Sequence, residues 1–353
     1  MQTEKKTQNY GMIDIMKFIC AIMIVVAHFI TENAEGRVNK IFEYSVSLYI
    51  IVVPFFFACS GFLLFKKIFY SPENKRYKVI SYCKRLMILY AGWSAIYILF
   101  NIATWIRFGI NKDEFIKYII NSIFYSTYKT IWFIPALCVG TIVAYLLIQK
   151  LGVKKTLVIA IIIYIIGSLG VSYRFIIDKN YILERILSDY EYIFVSTRNG
   201  LFNAFPFVAI GAYIAKNVDK NENKIIQNFI MVGVFGIAFV VEAFFIKFKF
   251  SAPNANTLIM LLPFTYFFVK VCLNIKIPEI KGLLYMRKMS TAIFLCQRIF
   301  LTALPGLFPE SWFMSLLNGN PYIGLVLILL MTLSLSAIIV YFSGKNKILS
   351  MFC

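Results

Sequence analysis

Three ionisable side chains stand inside an apolar run near the start of the chain. The run MIDIMKFICAIMIVVAHFI, Met12–Ile30, carries Asp14, Lys17 and His28, and His28 is the single histidine of the sequence. An imidazole takes up and releases a proton near neutral pH, and an ammonium group attracts anions. The run is about 19 residues long, enough to cross the ~30 Å hydrocarbon core of a bilayer at ~1.5 Å per residue. Ionisable groups inside such a span are costly, so they usually face a protein interior or a watery cavity and mark function. Lys17 and His28 are 11 residues apart. At ~100° per residue that is ~1100°, about 20° from three full turns, so the two share one helix face, roughly 16 Å apart along the axis. Asp14 lies one turn before Lys17 on nearly the same face. The plainer alternative is a packed histidine and a lysine snorkelling to the interface.

The rest of the chain has to place that helix. It has 353 residues, is 60% hydrophobic and has a mean hydropathy of +0.76. Soluble domains sit near ~45–50% apolar, so the composition predicts an all-α polytopic transmembrane helix bundle. About ten spans are expected, roughly at 12–31, 44–65, 86–108, 131–149, 156–173, 200–215, 225–246, 257–273, 288–305 and 321–342. The connections are too short for a separate soluble domain, so residues 1–353 read as one integral-membrane domain. The connection over 109–130 has helical periodicity and is expected at the interface or folded back into the bundle. Residues 174–198 read as a mixed-charge loop. Met12–Ile30 lacks a small-residue cleavage site and is read as a retained span.

The net charge is +19, but the basic residues are interleaved with membrane-length apolar runs. Placement relative to the bilayer explains them better than nucleic acid does. With the N-terminus cytoplasmic, the inner segments hold 22 Lys and Arg and the outer segments 12, Lys17 and Arg298 lying within spans. The positive-inside rule then predicts cytoplasmic termini in a cell (plasma or inner) membrane. The seven cysteines have no CxxC spacing and no histidine cluster, so neither a disulfide framework nor a metal site is expected.

Further polar groups interrupt the spans. Glu242 stands in GIAFVVEAFFI, and Gln297 and Arg298 in STAIFLCQRIF. A structural ion pair between Glu242 and Arg298 is one expectation. Convergence of these groups with His28 on one outward polar cavity is another. The 66–85 segment holds seven cations, including Lys78, Lys84 and Arg85. Such a run suits the positive-inside rule and anionic lipid, or a phosphate-rich cytoplasmic ligand. Trp132 and Pro135 in TIWFIPAL read as an interfacial aromatic and a kink. Ser60 and Gly61 in ACSGFLLF read as small residues that let helices approach closely.

Taken together, five patches resemble the integral-membrane acyltransferases of the acyltransferase-3 type: IDIMKFICAIMIVVAHF, VPFFFACSGFLLFKK, CKRLMILYAGWSAIY, TIWFIPALCVG and KMSTAIFLCQRIFL. FPFVAIGAYIA and Glu242 add weaker likeness. The first patch is similar to the family's opening helix, a basic residue, ten residues and histidine, with Lys17 where arginine is commoner. The family's RxxR motif is incomplete: Arg85 matches its second arginine, while the first falls on Tyr82. Gln297 stands where many members carry a histidine.

The resemblance implies transfer of an acyl group, commonly acetyl, from cytoplasmic acetyl-CoA to a hydroxyl of an envelope glycan or related acceptor at the outer face. No metal is implied. A branch of the family is fused to a serine racemase, a domain not expected within this chain. The implied roles are His28 as base or acyl carrier, with Glu242 orienting or acidifying the acceptor side. Lys17, held by Asp14, and the basic Lys78, Lys84 and Arg85 would contact acyl-CoA. Ser60, Trp132, Gln297 and Arg298 would line the substrate. Competing readings are a transporter for a small polar solute, with Asp14, Lys17, His28 and Glu242 along its path, and a non-enzymatic membrane module that serves a partner enzyme.

Overall fold

The computed structural model describes residues 10–33, 38–39, 46–71, 73–218, 224–250, 256–278, 282–346 and 349–352. Among these the chain is helical, without strands. The helices are α1 Gly11–Asn33, α2 Val52–Tyr70, α3 Lys75–Phe108, α4 Lys112–Phe124, α5 Phe133–Leu169, α6 Tyr181–Phe194, α7 Phe205–Lys216, α8 Ile225–Phe250, α9 Leu261–Asn274, α10 Leu283–Arg298, α11 Trp312–Gly319 and α12 Pro321–Ser343. Seven helical stretches among the described residues are long and apolar enough to cross a membrane, and α7 and α9 are shorter apolar helices. The protein is a membrane helix bundle. The expected cationic positions Lys5, Lys6, Lys220, Lys281 and Lys347, and the start of the second expected span, lie outside the described residues.

At KLGVKK, where the sequence reading places a tight turn between two spans, α5 is two helices in one stretch that meet at a kink. Gly152 breaks it with φ 78° and ψ 166°, a backbone that glycine adopts without steric cost. Two connections also turn out helical. In the basic segment, α2 extends to Tyr70 and α3 begins at Lys75, so most of the expected loop forms the ends of two helices. The Lys78 ammonium donates to the carbonyls of Lys67 and Ser71 and so satisfies the C-terminal end of α2. In 174–198, Asn180 caps α6 by accepting the Ile182 and Leu183 N–H groups. Leu187 is then buried, with Glu184 and Glu191 part-buried on the same helix face.

The bundle is graded from inside to outside. Of the apolar windows of α2 and α10, 67% is buried, against 17% in α3 and α8. The first pair forms the centre and the second faces lipid. Along the centre, α2 lies against α7, α1 against α10, and α5 against α7. Bulk cannot be added at these crossings. A Cβ on Gly61 would fall 2.5 Å from the Val208 carbonyl oxygen, and one on Gly211 would fall 2.1 Å from the Ala58 oxygen. Such close backbone approach is how helices pack when burial from water contributes little.

The Phe-rich stretch of α2 joins this contact to the others. Phe57 stacks on Phe133 of α5 at 4.6 Å, and Phe133 meets Phe294 of α10 at 5.2 Å. Because α2 and α7 touch backbone to backbone, Gly211→Leu forces them apart. We expect it to destabilise the protein by about 1–3 kcal/mol, read as a melting temperature several degrees lower in detergent. An equally large substitution at the open Gly233 is expected to have no such effect, since nothing lies within 4 Å of its added carbon.

Candidate functional site

Helix α1 carries its polar groups at two places, each closed by α10. At the His28 end, the imidazole Nδ1 lies 3.0 Å from Arg298 Nη2 and 3.6 Å from Glu32 Oε1. Arg298 is 3% exposed. Its Nη1 also donates to Glu32 Oε2 and its Nε to the Thr130 hydroxyl. One guanidinium thus binds His28, Glu32 and Thr130. Its fork of donors allows this, whereas an ammonium has no such fixed geometry. A guanidinium has no acceptor, so Nδ1 accepts and the neutral ring carries its proton on Nε2.

The local backbone presents Arg298 at a break in regular helix. Helix α10 ends there and passes into a π-turn at Ile299–Ala303, a geometry that often marks functional positions. The Thr302 hydroxyl donates to the Arg298 carbonyl at 3.1 Å and pairs with the Tyr128 hydroxyl at 2.9 Å. Tyr128 stacks on Tyr97 at 4.3 Å, and the Tyr97 hydroxyl donates to the Leu295 carbonyl.

Trp132 borders the same cluster. It is buried, stacks on Tyr125 and carries the Arg198 guanidinium 5.0 Å above its ring. Arg198 is close enough to act on the charge of His28. No carboxylate pairs with it among the described residues, and its Nε is buried without a partner. An unpaired cation costs several kcal/mol of desolvation, of which a cation–π contact recovers about 0.5–2 kcal/mol.

At the other end, Asp14 is 2% exposed and takes a two-pronged hydrogen bond from Arg287, at 2.9 and 2.6 Å. The expectation that Asp14 holds Lys17 is corrected: the planar fork of Arg287 matches both carboxylate oxygens, and Lys17 is left without a hydrogen bond among the described residues. The Lys17 ammonium lies 5.9 Å from the Phe56 ring centre, with Cys59, Asp14, Arg287 and Arg85 in electrostatic range. Arg85 lies over the Tyr82 ring at 5.8 Å, with Ser60 near the Tyr82 hydroxyl. Lys84 is exposed beside it on α3, whereas Lys78 caps α2.

Two expected site residues stand elsewhere. The pairing of Glu242 with Arg298 is not formed, because Arg298 is taken by Glu32. Glu242 instead accepts from the Tyr173 hydroxyl and from the N–H groups of Ile259 and Met260, at 2.8 and 2.9 Å. Those N–H groups precede α9, so the carboxylate caps its start. Gln297 is fully buried. Its amide donates to the Phe294 carbonyl at 3.0 Å, and its Oε1 has no partner. Among the described residues no group of three or more His, Cys, Asp or Glu is placed to hold a metal.

These contacts draw on residues from Asp14 to Thr302, so the site needs nearly the whole chain. A family described as an acyltransferase domain, of the acyltransferase-3 type, matches residues 10–341. The chain belongs to the acyltransferase-3 family. It is also similar to an amino-acid racemase of Enterococcus faecalis, 32% identical over 232 residues, which are 62% of this chain and 30% of that protein. A serine/alanine racemase of Enterococcus gallinarum is 24% identical over 265 residues, 74% of this chain and 36% of that protein. The chain spans about a third of the length of the curated relatives it matches. No solved structure matches it.

In this acyltransferase-3 protein, sequence reasoning missed Glu32, Thr130, Arg198 and Arg287. Glu32 had a signal, since it lies four residues after His28, the spacing that puts two side chains on one helix face. The others meet α1 only through the fold. Removing one member of the Asp14–Arg287 pair tests how firmly it ties α1 to α10. Arg287→Gln leaves a buried carboxylate poorly satisfied and is expected to lose about 2–3 kcal/mol. Adding Asp14→Asn should restore part of that loss in the melting temperature.

Proposed function

We propose that the protein transfers an acyl group, acetyl in the simplest case, from cytoplasmic acyl-CoA to a hydroxyl of an envelope glycan or related acceptor at the outer face of the cell membrane. One observation carries this reading. Helix α1 holds its single imidazole in a fixed network at one end and, at the other, a lysine without an ion pair among the described residues and with Arg85 in electrostatic range. Family membership supports an acyltransferase-type enzyme.

Lys17 and Arg85 are the uncompensated cations that suit the phosphates of CoA, with Lys84 exposed nearby. Asp14 enters by fixing Arg287 in the same group. Ser60 lies near the hydroxyl of Tyr82, whose ring Arg85 covers. The excess of cations on the inner segments supports cytoplasmic termini, with Lys17 toward the donor side. His28 acts as base or acyl carrier. As base it takes the acceptor's hydroxyl proton, the acceptor oxygen bonds to the acyl carbon, the carbon–sulfur bond breaks, and the proton passes on to the leaving sulfur. As carrier, an imidazole nitrogen bonds to the acyl carbon while the carbon–sulfur bond breaks and the sulfur leaves as the thiol with the ring's proton; the acceptor oxygen then bonds to that carbon, the carbon–nitrogen bond breaks, and the imidazole takes the acceptor's proton.

Base chemistry needs the substrate-facing nitrogen free. In the tautomer that Arg298 imposes the proton sits on Nε2, so base chemistry requires the ring to give up the Arg298 contact and move its proton to Nδ1, where Glu32 is the acceptor. Trp132 and Arg298 wall the acceptor side, and Gln297 supports the neighbouring backbone through Phe294. Glu242 is a positioning residue for α9 in this reading. The names of the relatives favour a second reading, a membrane module that serves an amino-acid enzyme.

The test is release of CoA from acetyl-CoA by the purified protein in lipid nanodiscs, with a panel of glycan hydroxyls and free serine as acceptors. We expect turnover that His28→Ala lowers by about 10²–10⁴-fold. Lys17→Gln should raise the KM for acetyl-CoA with kcat changed only a few-fold. A folded wild-type protein that neither binds nor turns over acetyl-CoA overturns the reading. Solute uptake that survives His28→Ala would point to a transporter.

A further inference from the structure

Arg198 is the charged group within electrostatic range of His28 that the scheme above leaves idle. It sits on the short segment between α6 and α7, and that segment is rigidly built. Thr197 donates its hydroxyl to the Gly167 carbonyl at 2.7 Å, and Asn199 donates to the Ser196 carbonyl at 3.0 Å. The Asn199 side-chain oxygen accepts from the N–H groups of Leu201 and Phe202 and so starts the next helical turn. The Arg198 N–H itself donates to the Ser196 hydroxyl. From this frame the guanidinium lies over Trp132.

The charge balance distinguishes the two arginines near the imidazole. Arg298 is matched by Glu32. The groups that act on the charge of Arg198 from α5 and the preceding connection are the neutral phenols Tyr164 and Tyr125, and no carboxylate is among them. With His28 neutral, the cluster of His28, Glu32, Arg298 and Arg198 carries one uncompensated positive charge. A guanidinium whose face rests on an indole still presents its edge, and that edge suits the two oxygens of a carboxylate or phosphate.

We propose that Arg198 is the anion-binding residue of the His28 site, so that the acceptor is an anionic hydroxyl compound whose carboxylate or phosphate meets Arg198 while its hydroxyl meets His28. The word acceptor rests on the acyl-transfer reading; anion binding beside His28 does not. Arg198 therefore selects among acceptors rather than taking part in proton transfer. This separates it from a cation that stabilises the developing oxyanion, which would affect every acceptor alike.

Because His28 is the single histidine of the chain, its modification by diethyl pyrocarbonate, followed by mass spectrometry of its peptide, reports this site without turnover. The full-length protein in nanodiscs would be treated at constant ionic strength with glycerate, glycerol phosphate or neutral glycerol present. Glycerate and glycerol phosphate are expected to slow modification saturably, their relative strength telling carboxylate from phosphate, and glycerol is expected to have no effect. Arg198→Gln should raise the half-protecting concentration at least about tenfold. Arg198→Lys, which keeps the charge but not the fork, should raise it less, and it carries the test if the glutamine variant does not fold. Equal protection by glycerol, or protection in Arg198→Gln equal to that of the wild type, overturns the proposal. Where acyl transfer is measured, the loss in Arg198→Gln should fall on KM for anionic acceptors and spare neutral ones; an equal loss of kcat for both would overturn it in favour of the oxyanion role.

Discussion

The Arg298 guanidinium is the interaction on which the His28 site depends. It is nearly fully buried, and it bonds at once to His28 and Glu32 on α1 and to Thr130 ahead of α5. A buried cation is tolerated only when its donors are met by well-placed acceptors. Each of the three elements is thus held by the same requirement. The π-turn that follows Arg298 belongs to this arrangement, since Thr302 and Tyr128 fix its backbone from the far side. The imidazole gains a defined orientation and tautomer from a group that has no freedom to be elsewhere.

The two ends of α1 solve opposite electrostatic problems. At the Asp14 end a buried carboxylate is matched by the half-exposed Arg287, and cations remain in excess around it. At the His28 end the part-exposed Glu32 matches a buried arginine. Both pairs cross from α1 to α10, so they clamp the same two helices at separate heights. The glycine contact between α2 and α7 supplies the rigid centre behind them, with Phe56 of α2 facing Lys17.

The architecture was legible in the sequence because a bilayer imposes long apolar runs, and each expected run is helical wherever it is described. What sequence periodicity could not separate was loop from helix in polar stretches such as 174–198, where a capping asparagine and one buried leucine suffice to make α6. Lys17 and His28 were legible as one face, since that follows from turn geometry. Their partners were not. Arg287, Arg298 and Thr130 lie more than 95 residues from α1, and no local pattern says which acid meets which base. The natural guess joined Glu242 to Arg298, the two charges in later spans, and overlooked Glu32 at the end of the helix already in view.

Pairing also decides which charges remain for a ligand. A count of cations finds several equivalent candidates around each end of α1. The structure divides them by what they already hold: Arg298 by Glu32, Arg287 by Asp14, Lys78 by helix carbonyls. Among the described residues the side chains of Lys17, Arg85 and Arg198 meet aromatic faces and no carboxylate. An aromatic ring orients a cation and offsets part of its desolvation without neutralising it, so these three are the cations around α1 that no carboxylate balances among the described residues. Two stand at the Lys17 end and one toward the His28 end, so the unbalanced charge along α1 falls at two separate places, with the imidazole at the second.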